Sequence, residues 1–205
     1  MGRWSDMNEP ELLEDYAARL AQAEEDPPMG LSAGGGPLRV AQPLAASQAP
    51  FTQLPQKPEA GESGSGYYTY GTVPKWERGT TADHQWGTPR AMQVITSVAG
   101  QLANGKTPTP FGVGNISLSD GRPTDHAGHR LGDEIDVRPA RADGKERQVD
   151  YQSPDYDRAA TQRLIRAFQA TGQVDRILFN DPNIGIEGVR SAPGHDNHFH
   201  VRLKR

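Results

Sequence analysis

Hydrophobic residues recur along this chain with two different periods, and these periods predict where its helices and strands lie. Apolar residues spaced three and four apart predict helices over residues 9–24, 89–102 and 154–171. Short apolar or alternating runs predict strands over residues 113–118, 134–137, 174–179 and 198–203. Elements in this order predict the α+β fold class with a central antiparallel sheet.

The distribution of small and polar residues divides the chain into three parts. Residues 1–25 contain the first predicted helix, which is amphipathic and which we interpret as an interaction segment. Residues 26–70 are rich in glycine and proline and are predicted to form a flexible linker. Residues 71–205 have the usual size of one domain and are predicted to fold. The low hydrophobic fraction of the whole chain, 34%, therefore describes mainly the first 70 residues.

Composition excludes several classes of protein. No run of 18 apolar residues is present, so we expect no transmembrane helix. The N-terminus is acidic and lacks an apolar core segment, so we expect no Sec-type signal peptide. The chain has no cysteine, which excludes disulfides and thiolate metal sites. A net charge of −4 argues against nucleic acid as a partner, since phosphate binding needs a basic face.

Histidine is the residue type whose placement is most informative. Five of the six histidines lie in two short clusters, which are His126 with His129, and His195 with His198 and His200. Two such clusters are hard to attribute to chance at this low overall frequency. The sixth, His84, stands alone, and we expect it to have a surface or packing role.

Strand geometry predicts that the histidines of the second cluster share one cleft. His198 and His200 are two residues apart, so on a strand their imidazoles project from the same face, while Phe199 points into the core. Asp136 lies on another predicted strand between two β-branched residues, so its carboxylate points away from the core or is paired. Gly128 and Gly132, on either side of His129, allow the chain to fold back and bring that imidazole to the carboxylate.

These positions predict a metal site with two histidines and one carboxylate, formed by His129, Asp136 and His200. Imidazole and carboxylate ligands suit zinc, and a catalytic zinc ion keeps three protein ligands and one open position for water. The alternative is that the histidines are exposed loop residues beside an unrelated strand carboxylate.

The remaining clustered histidines are expected to take part in catalysis. No glutamate lies near the second cluster in the sequence, so His198 or His195 is the candidate that accepts a proton from water and passes it to the leaving amine. His126 is expected to contact the substrate or the water, with a solvated loop position as the alternative. Glu134, close to Asp136, either supports the metal ligands or is solvated.

The two motifs together resemble those of the LAS metallopeptidases, and most closely the penicillin-insensitive murein endopeptidase family. That family has an H-x-x-H-x-x-G-x-x-x-D run followed late in the chain by a G-H-x-x-H-F-H-V-R run. The matching positions are His126, His129, Gly132 and Asp136, and then Gly194, His195, His198, Phe199, His200, Val201 and Arg202. The resemblance covers residues 76–203 and implies a small α+β domain of LAS type.

The resemblance also implies a function. His129, Asp136 and His200 would bind zinc, and His126, His195 and His198 would line the active site of a murein endopeptidase. The implied substrate is the cross-linked stem peptide of peptidoglycan, cut between D-alanine and meso-diaminopimelate. Alternatives are a module of the same fold that binds zinc or stem peptide without turnover, and a D,D- or L,D-carboxypeptidase.

Two departures from the family pattern bear on delivery. Family members carry a signal peptide, which we do not expect in this chain. About 70 additional residues also precede the predicted domain here. We therefore expect synthesis in the cytoplasm and action in the periplasm or cell wall of a target cell, after specialised secretion as an antibacterial effector or after phage release. The expected partners are a secretion-system component that binds residues 1–25 and a cognate immunity protein.

Overall fold

The structure is a computed structural model that describes residues 51–57, 66–70, 81–105, 109–121 and 129–205. All of these residues belong to one compact unit, residues 45–205. The described residues do not include the helix predicted over residues 9–24 or the first half of the predicted linker. The interaction role of that helix therefore stays a prediction. Within the described part of the chain, neither helix is long and apolar enough to cross a membrane.

The described residues form a mixed α+β domain, as the sequence predicts. Its two α-helices are α1 (Pro89–Ala103) and α2 (Arg158–Ala170). Its strands are β1 (Thr52–Gln53), β2 (Tyr67–Thr69), β3 (Trp86–Gly87), β4 (Phe111–Val113), β5 (Glu134–Val137), β6 (Val174–Leu178), β7 (Val189–Arg190) and β8 (Phe199–Leu203). A short 3-10 turn, Thr81–His84, precedes β3.

Six of these strands form one sheet in the order β2-β4-β5-β8-β6-β7. The strands β4, β5, β8 and β6 pair with one another in antiparallel fashion, which confirms the predicted central antiparallel sheet. The two outer strands pair in parallel. Because the C-terminal strand β8 lies between β5 and β6, it brings the second histidine motif next to the first.

The helices begin and end for local reasons that the sequence largely predicts. The side chain of Thr88 accepts a hydrogen bond from the amide of Ala91 and caps α1, and a proline occupies the first turn. Helix α2 starts at Arg158, four residues later than predicted, because Asp157 caps it by accepting from the amide of Ala160.

The predicted strands are confirmed at their centres and differ at their ends. The predicted strand over 134–137 is observed as β5, and those over 174–179 and 198–203 are one residue shorter as β6 and β8. The strand predicted over 113–118 is instead β4, which ends at Val113. Beyond Val113 the chain forms no further strand of the sheet, but Ser117 forms an isolated parallel β-bridge with Gln85.

One face of the sheet carries the hydrophobic core. Along β5 and β8, apolar residues alternate with polar ones, and the apolar residues pack beneath α1 and α2. Edge-to-face aromatic contacts link Phe199 on β8 to Phe168 on α2 and to Phe179 after β6. With one face committed to the helices, the polar side chains of β5 and β8 all project from the opposite face.

Two stretches of the predicted linker are structured. Residues 51–57 contain β1, which pairs with β3, and the side chain of Leu54 is fully buried. Residues 66–70 contain β2, an edge strand of the main sheet. A linker would not bury apolar side chains, so the folded domain includes these stretches and is not limited to residues 71–205. Composition missed them because each is short and flanked by proline or glycine.

A buried carboxylate also stabilises the loop that follows β6. Asp181 accepts hydrogen bonds from the Arg158 guanidinium at 2.7 Å and from the Tyr156 hydroxyl at 2.9 Å. Burial raises the pKa of the Asp181 carboxyl, but the donors around it lower that pKa further, and the net shift is downward. The ionised form therefore fixes this loop against the start of α2.

Candidate metal centre

The candidate site lies on the polar face of the sheet, at the junction of β5 and β8. In this antiparallel pair Asp136 lies opposite His200, and Glu134 lies opposite Arg202. Their apolar neighbours on both strands point to the helices. The period of two along each strand therefore places the two carboxylates on the same face as His200.

Three side chains converge closely enough to hold one metal ion. A ligand atom of each of His129, Asp136 and His200 lies within 4.8 Å of the other two. Oδ1 of Asp136 is 3.0 Å from Nδ1 of His200 and 3.3 Å from Nε2 of His129. All three residues are buried, with at most 8% of their surface exposed. The donor types are those of a two-histidine, one-carboxylate site, and the three side chains are close enough to share one ion.

A tight turn and a backbone hydrogen bond position His129. Nδ1 of its ring lies 2.9 Å from the carbonyl oxygen of Ile116, to which the N–H donates, so Nε2 is left to face Asp136. Gly132, between this histidine and β5, has a φ of +66°. A Cβ there would lie 2.9 Å from the ring of Phe51 and 3.0 Å from the Cα of Gly87, so the turn requires glycine.

The electrostatics of the cluster favour a bound cation. Burial raises the pKa of Asp136, but the facing imidazoles of His129 and His200 hold that pKa well below its usual range. Burial lowers the pKa of each imidazole, yet the carboxylates outweigh it. The pKa of His129 is therefore raised, and that of His200 is raised to about 9. A divalent metal can replace the protons that these buried carboxylates otherwise attract.

Glu134 is buried beside the cluster, so it does not take the solvated position that the sequence leaves open as one of two options. Its Oε2 lies 3.3 Å from Nε2 of His200, within ion-pair distance but not aligned as a hydrogen bond. Burial raises the pKa of Glu134, and the contact with His200 lowers it to a net downward shift. An imidazole that binds metal through one nitrogen commonly donates its other N–H to such a carboxylate.

The two remaining histidines of the second motif stand at the edge of the cluster. Nδ1 of His195 lies 2.9 Å from the carbonyl oxygen of Pro193 and donates to it, which leaves Nε2 as an acceptor. Burial lowers the pKa of His195, so its ring is neutral near pH 7. Nε2 of His198 is 3.8 Å from Oδ1 of Asp136, and its Nδ1 is 2.8 Å from Oδ1 of Asn197.

The cluster forms the floor of an open cleft of about 830 Å³. Both histidines at its edge line the cleft, and so does Leu178 of β6, which lies opposite His200 in the sheet. Arginine side chains dominate the rest of the wall, namely Arg130, Arg176, Arg202 and Arg205. The cleft is therefore open above the candidate metal position, and its wall is lined by cationic side chains.

The sequence predicts most of this site, and the structure adds to it. His129, Asp136, His200, His195 and His198 are brought together as predicted, whereas His126 lies outside the described residues and its role stays a prediction. Of the two roles expected for His84, surface or packing, its burial agrees with packing. Sequence reasoning missed the arginine wall, although the alternation of polar residues along β6 and β8 is the signal that places it there.

Comparison with known proteins gives no family assignment. A scan against protein-family models finds no family that matches this chain. A search of curated proteins finds no significant match. The interpretation of the cleft therefore depends on the chemistry and geometry of its own residues.

Proposed function

We propose that the chain is a zinc-dependent peptidoglycan endopeptidase with an LAS-type fold, which hydrolyses the D-alanyl–meso-diaminopimelyl bond of cross-linked stem peptides. The observation that carries this proposal is the convergence of the buried His129, Asp136 and His200 on the floor of an open cleft. The resemblance of the two histidine motifs to murein endopeptidases supports the choice of substrate. The donor set of two imidazoles and one carboxylate supports zinc as the metal.

In this proposal, each side chain of the cluster has a defined task. His129, Asp136 and His200 hold the metal, and Glu134 orients the ring of His200. A bound zinc ion supplies Lewis acidity, which activates water and polarises the scissile carbonyl. The cluster lies on two paired central strands, so its geometry is fixed before substrate binds.

Proton transfer falls to the histidines at the edge of the cleft. His195 is neutral and its Nε2 is not engaged by Pro193, so it accepts the proton of the attacking water and returns it to the leaving amine. His198 lies nearer to Asp136, and its imidazole stabilises the negative charge that develops on the carbonyl oxygen. The sequence alone leaves these two roles interchangeable.

The decisive experiment measures the hydrolysis of isolated sacculi by the full chain. The metal is removed, zinc is added back, and the protein is incubated with cross-linked sacculi. The products are separated by chromatography and identified by mass spectrometry. We expect dimeric muropeptides to be converted to monomers, with loss on chelation and recovery on zinc addition. Asp136→Asn should lose both zinc and activity. The control Asp143→Asn changes an exposed carboxylate paired with Arg141 and should retain both.

The products distinguish the rival functions. One equivalent of bound zinc without any released product would refute the hydrolase and favour a non-catalytic binding module. Release of free D-alanine without loss of dimers would identify a carboxypeptidase instead.

The route to the cell wall is a further part of the proposal. An effector or phage enzyme should be toxic when it is directed to the periplasm and harmless when it is retained in the cytoplasm. Deletion of residues 1–25 should then abolish delivery to a target cell while leaving hydrolysis of sacculi intact.

A further inference from the structure

The arginines of the cleft differ in whether a carboxylate of the chain already neutralises them. Arg202 donates from Nε and Nη2 to Asp175, and Arg205 donates from Nε to Asp133 at 2.7 Å. Each of these cations is therefore committed to a partner. Arg176 lies beside Arg202 in the sheet, and among the described residues no carboxylate lies within ion-pair distance of it.

Arg176 is also held in place by its position in the fold. It lies on β6, the strand next to β8, and projects from the polar face of the sheet into the cleft. Its side chain is half-buried, and its Nε is shielded from solvent without a hydrogen bond in the described part of the chain. A shielded guanidinium nitrogen without an acceptor costs free energy, and a ligand that supplies an acceptor would recover it.

The spacing along the strand gives the separation between the backbone of Arg176 and the level of His200 in the sheet. Leu178 lies opposite His200, and Arg176 is two residues before it on the same face. Two residues of strand span about 7 Å, which is also the length of about two residues of extended peptide. A substrate whose scissile carbonyl is at the metal would thus present to Arg176 a carboxylate carried within two residues of the cut.

We propose that Arg176 forms a carboxylate-binding subsite of this cleft and gives the site its preference for anionic peptides. This inference rests on the proposed function, because it takes the ligand to be a stem peptide. A guanidinium and a carboxylate form paired, charge-assisted hydrogen bonds, which a carboxamide cannot reproduce. The neighbouring Arg202 and Arg205 are already paired with Asp175 and Asp133, which leaves them less able to bind the ligand.

The test measures binding without turnover. The zinc-loaded full chain is titrated by calorimetry with the tripeptide L-alanyl-γ-D-glutamyl-meso-diaminopimelate and with the same peptide after conversion of its carboxylates to carboxamides. We expect the carboxylate form to bind about tenfold more tightly. In Arg176→Gln this preference should disappear, and in Arg176→Lys part of it should remain because the charge is kept.

Arg166→Gln is the matched control, since this exposed arginine on α2 lies on the helical side of the sheet. It should leave the preference unchanged. Circular dichroism and zinc content establish that each variant is folded and loaded. Retention of the full preference by Arg176→Gln would overturn the subsite, and so would equal binding of both peptides by the unmodified chain.

The outcomes separate this inference from the proposed function. If the chain binds the carboxylate peptide through Arg176 but releases no muropeptides, the subsite is supported and the hydrolase is refuted. If the chain cleaves sacculi and its Arg176→Gln variant binds both peptides as before, the hydrolase is supported and the subsite is refuted.

Discussion

Replacing Glu134 with glutamine removes a negative charge beside His200 and keeps the size of the side chain. The two side chains are buried and 3.3 Å apart, so solvent screens their interaction little. Glutamine keeps a polar oxygen beside the imidazole, but it no longer makes that ring more basic. We therefore expect Glu134→Gln to fold normally and to bind zinc more weakly.

The structure sets the size of this effect. The rise in the pKa of His200 from 6.5 to about 9 corresponds to roughly 3 kcal/mol of extra stability for its charged form. Asp136 and Glu134 supply this stabilisation together, so the share of Glu134 is smaller. Loss of a carboxylate that supports a metal-binding histidine typically weakens metal affinity by about 10–100-fold, or about 1.4–2.8 kcal/mol. We expect Glu134→Gln to fall in this range.

Proton competition makes the loss depend on pH. At low pH the carboxylate also favours the proton that zinc must displace from His200, which offsets part of its benefit. Removing Glu134 should therefore weaken zinc binding more at about pH 8.5 than at about pH 6.5. A purely structural defect would not produce this difference.

The assay is a competition titration of the metal-free full chain against a chromogenic zinc chelator. Glu187→Gln is the control, since it removes an exposed carboxylate ahead of β7. Glu134→Asp withdraws the carboxylate by one methylene and should give an intermediate affinity. If folded Glu134→Gln bound zinc as tightly as the unmodified chain at both pH values, the positioning role of Glu134 would be refuted.

Four further results are expected. Zinc affinity of the unmodified chain should rise with pH until about pH 9, by up to about tenfold per pH unit for each of His129 and His200 that must lose a proton. In the metal-free chain, the stability from the His200 imidazolium is complete below about pH 6.5 and is lost as the pH rises through about 9, which urea unfolding across this range would check. Deletion of residues 1–66 should lower the melting temperature sharply, because loss of a buried leucine such as Leu54 alone costs about 2–5 kcal/mol. Deletion of residues 1–44 should not, and equal melting of the two would contradict the inclusion of β1 in the fold. Finally, the lowered pKa of Asp181 adds stability that is present above about pH 4 and lost as the pH falls through that pKa. Asp181→Asn should therefore be less stable at neutral pH, and its urea midpoint should converge with that of the unmodified chain in acid.

Local patterns in the sequence determine much of this protein. The cap at Thr88 and the apolar stripe after it define α1, and the alternation of apolar and polar residues defines β5 and β8. Alternation alone places Asp136 and His200 on polar faces of their strands, since the period of a strand is two. The strand positions of two of the three candidate metal ligands could therefore be predicted before any three-dimensional information.

The tertiary structure decided what no local pattern specifies. The pairing of β5 with β8 places Glu134 near His200, which is 66 residues away in the sequence. Glu134 is therefore a neighbour of the candidate metal ligands. The pairing of β6 with β8 likewise sets Arg176 on the wall of the cleft. The linker prediction differed from the structure at Leu54, since its burial depends on a partner strand distant in sequence. Strand periodicity is a property of a few adjacent residues, whereas strand partners and register arise from long-range packing, and so only the folded chain shows them.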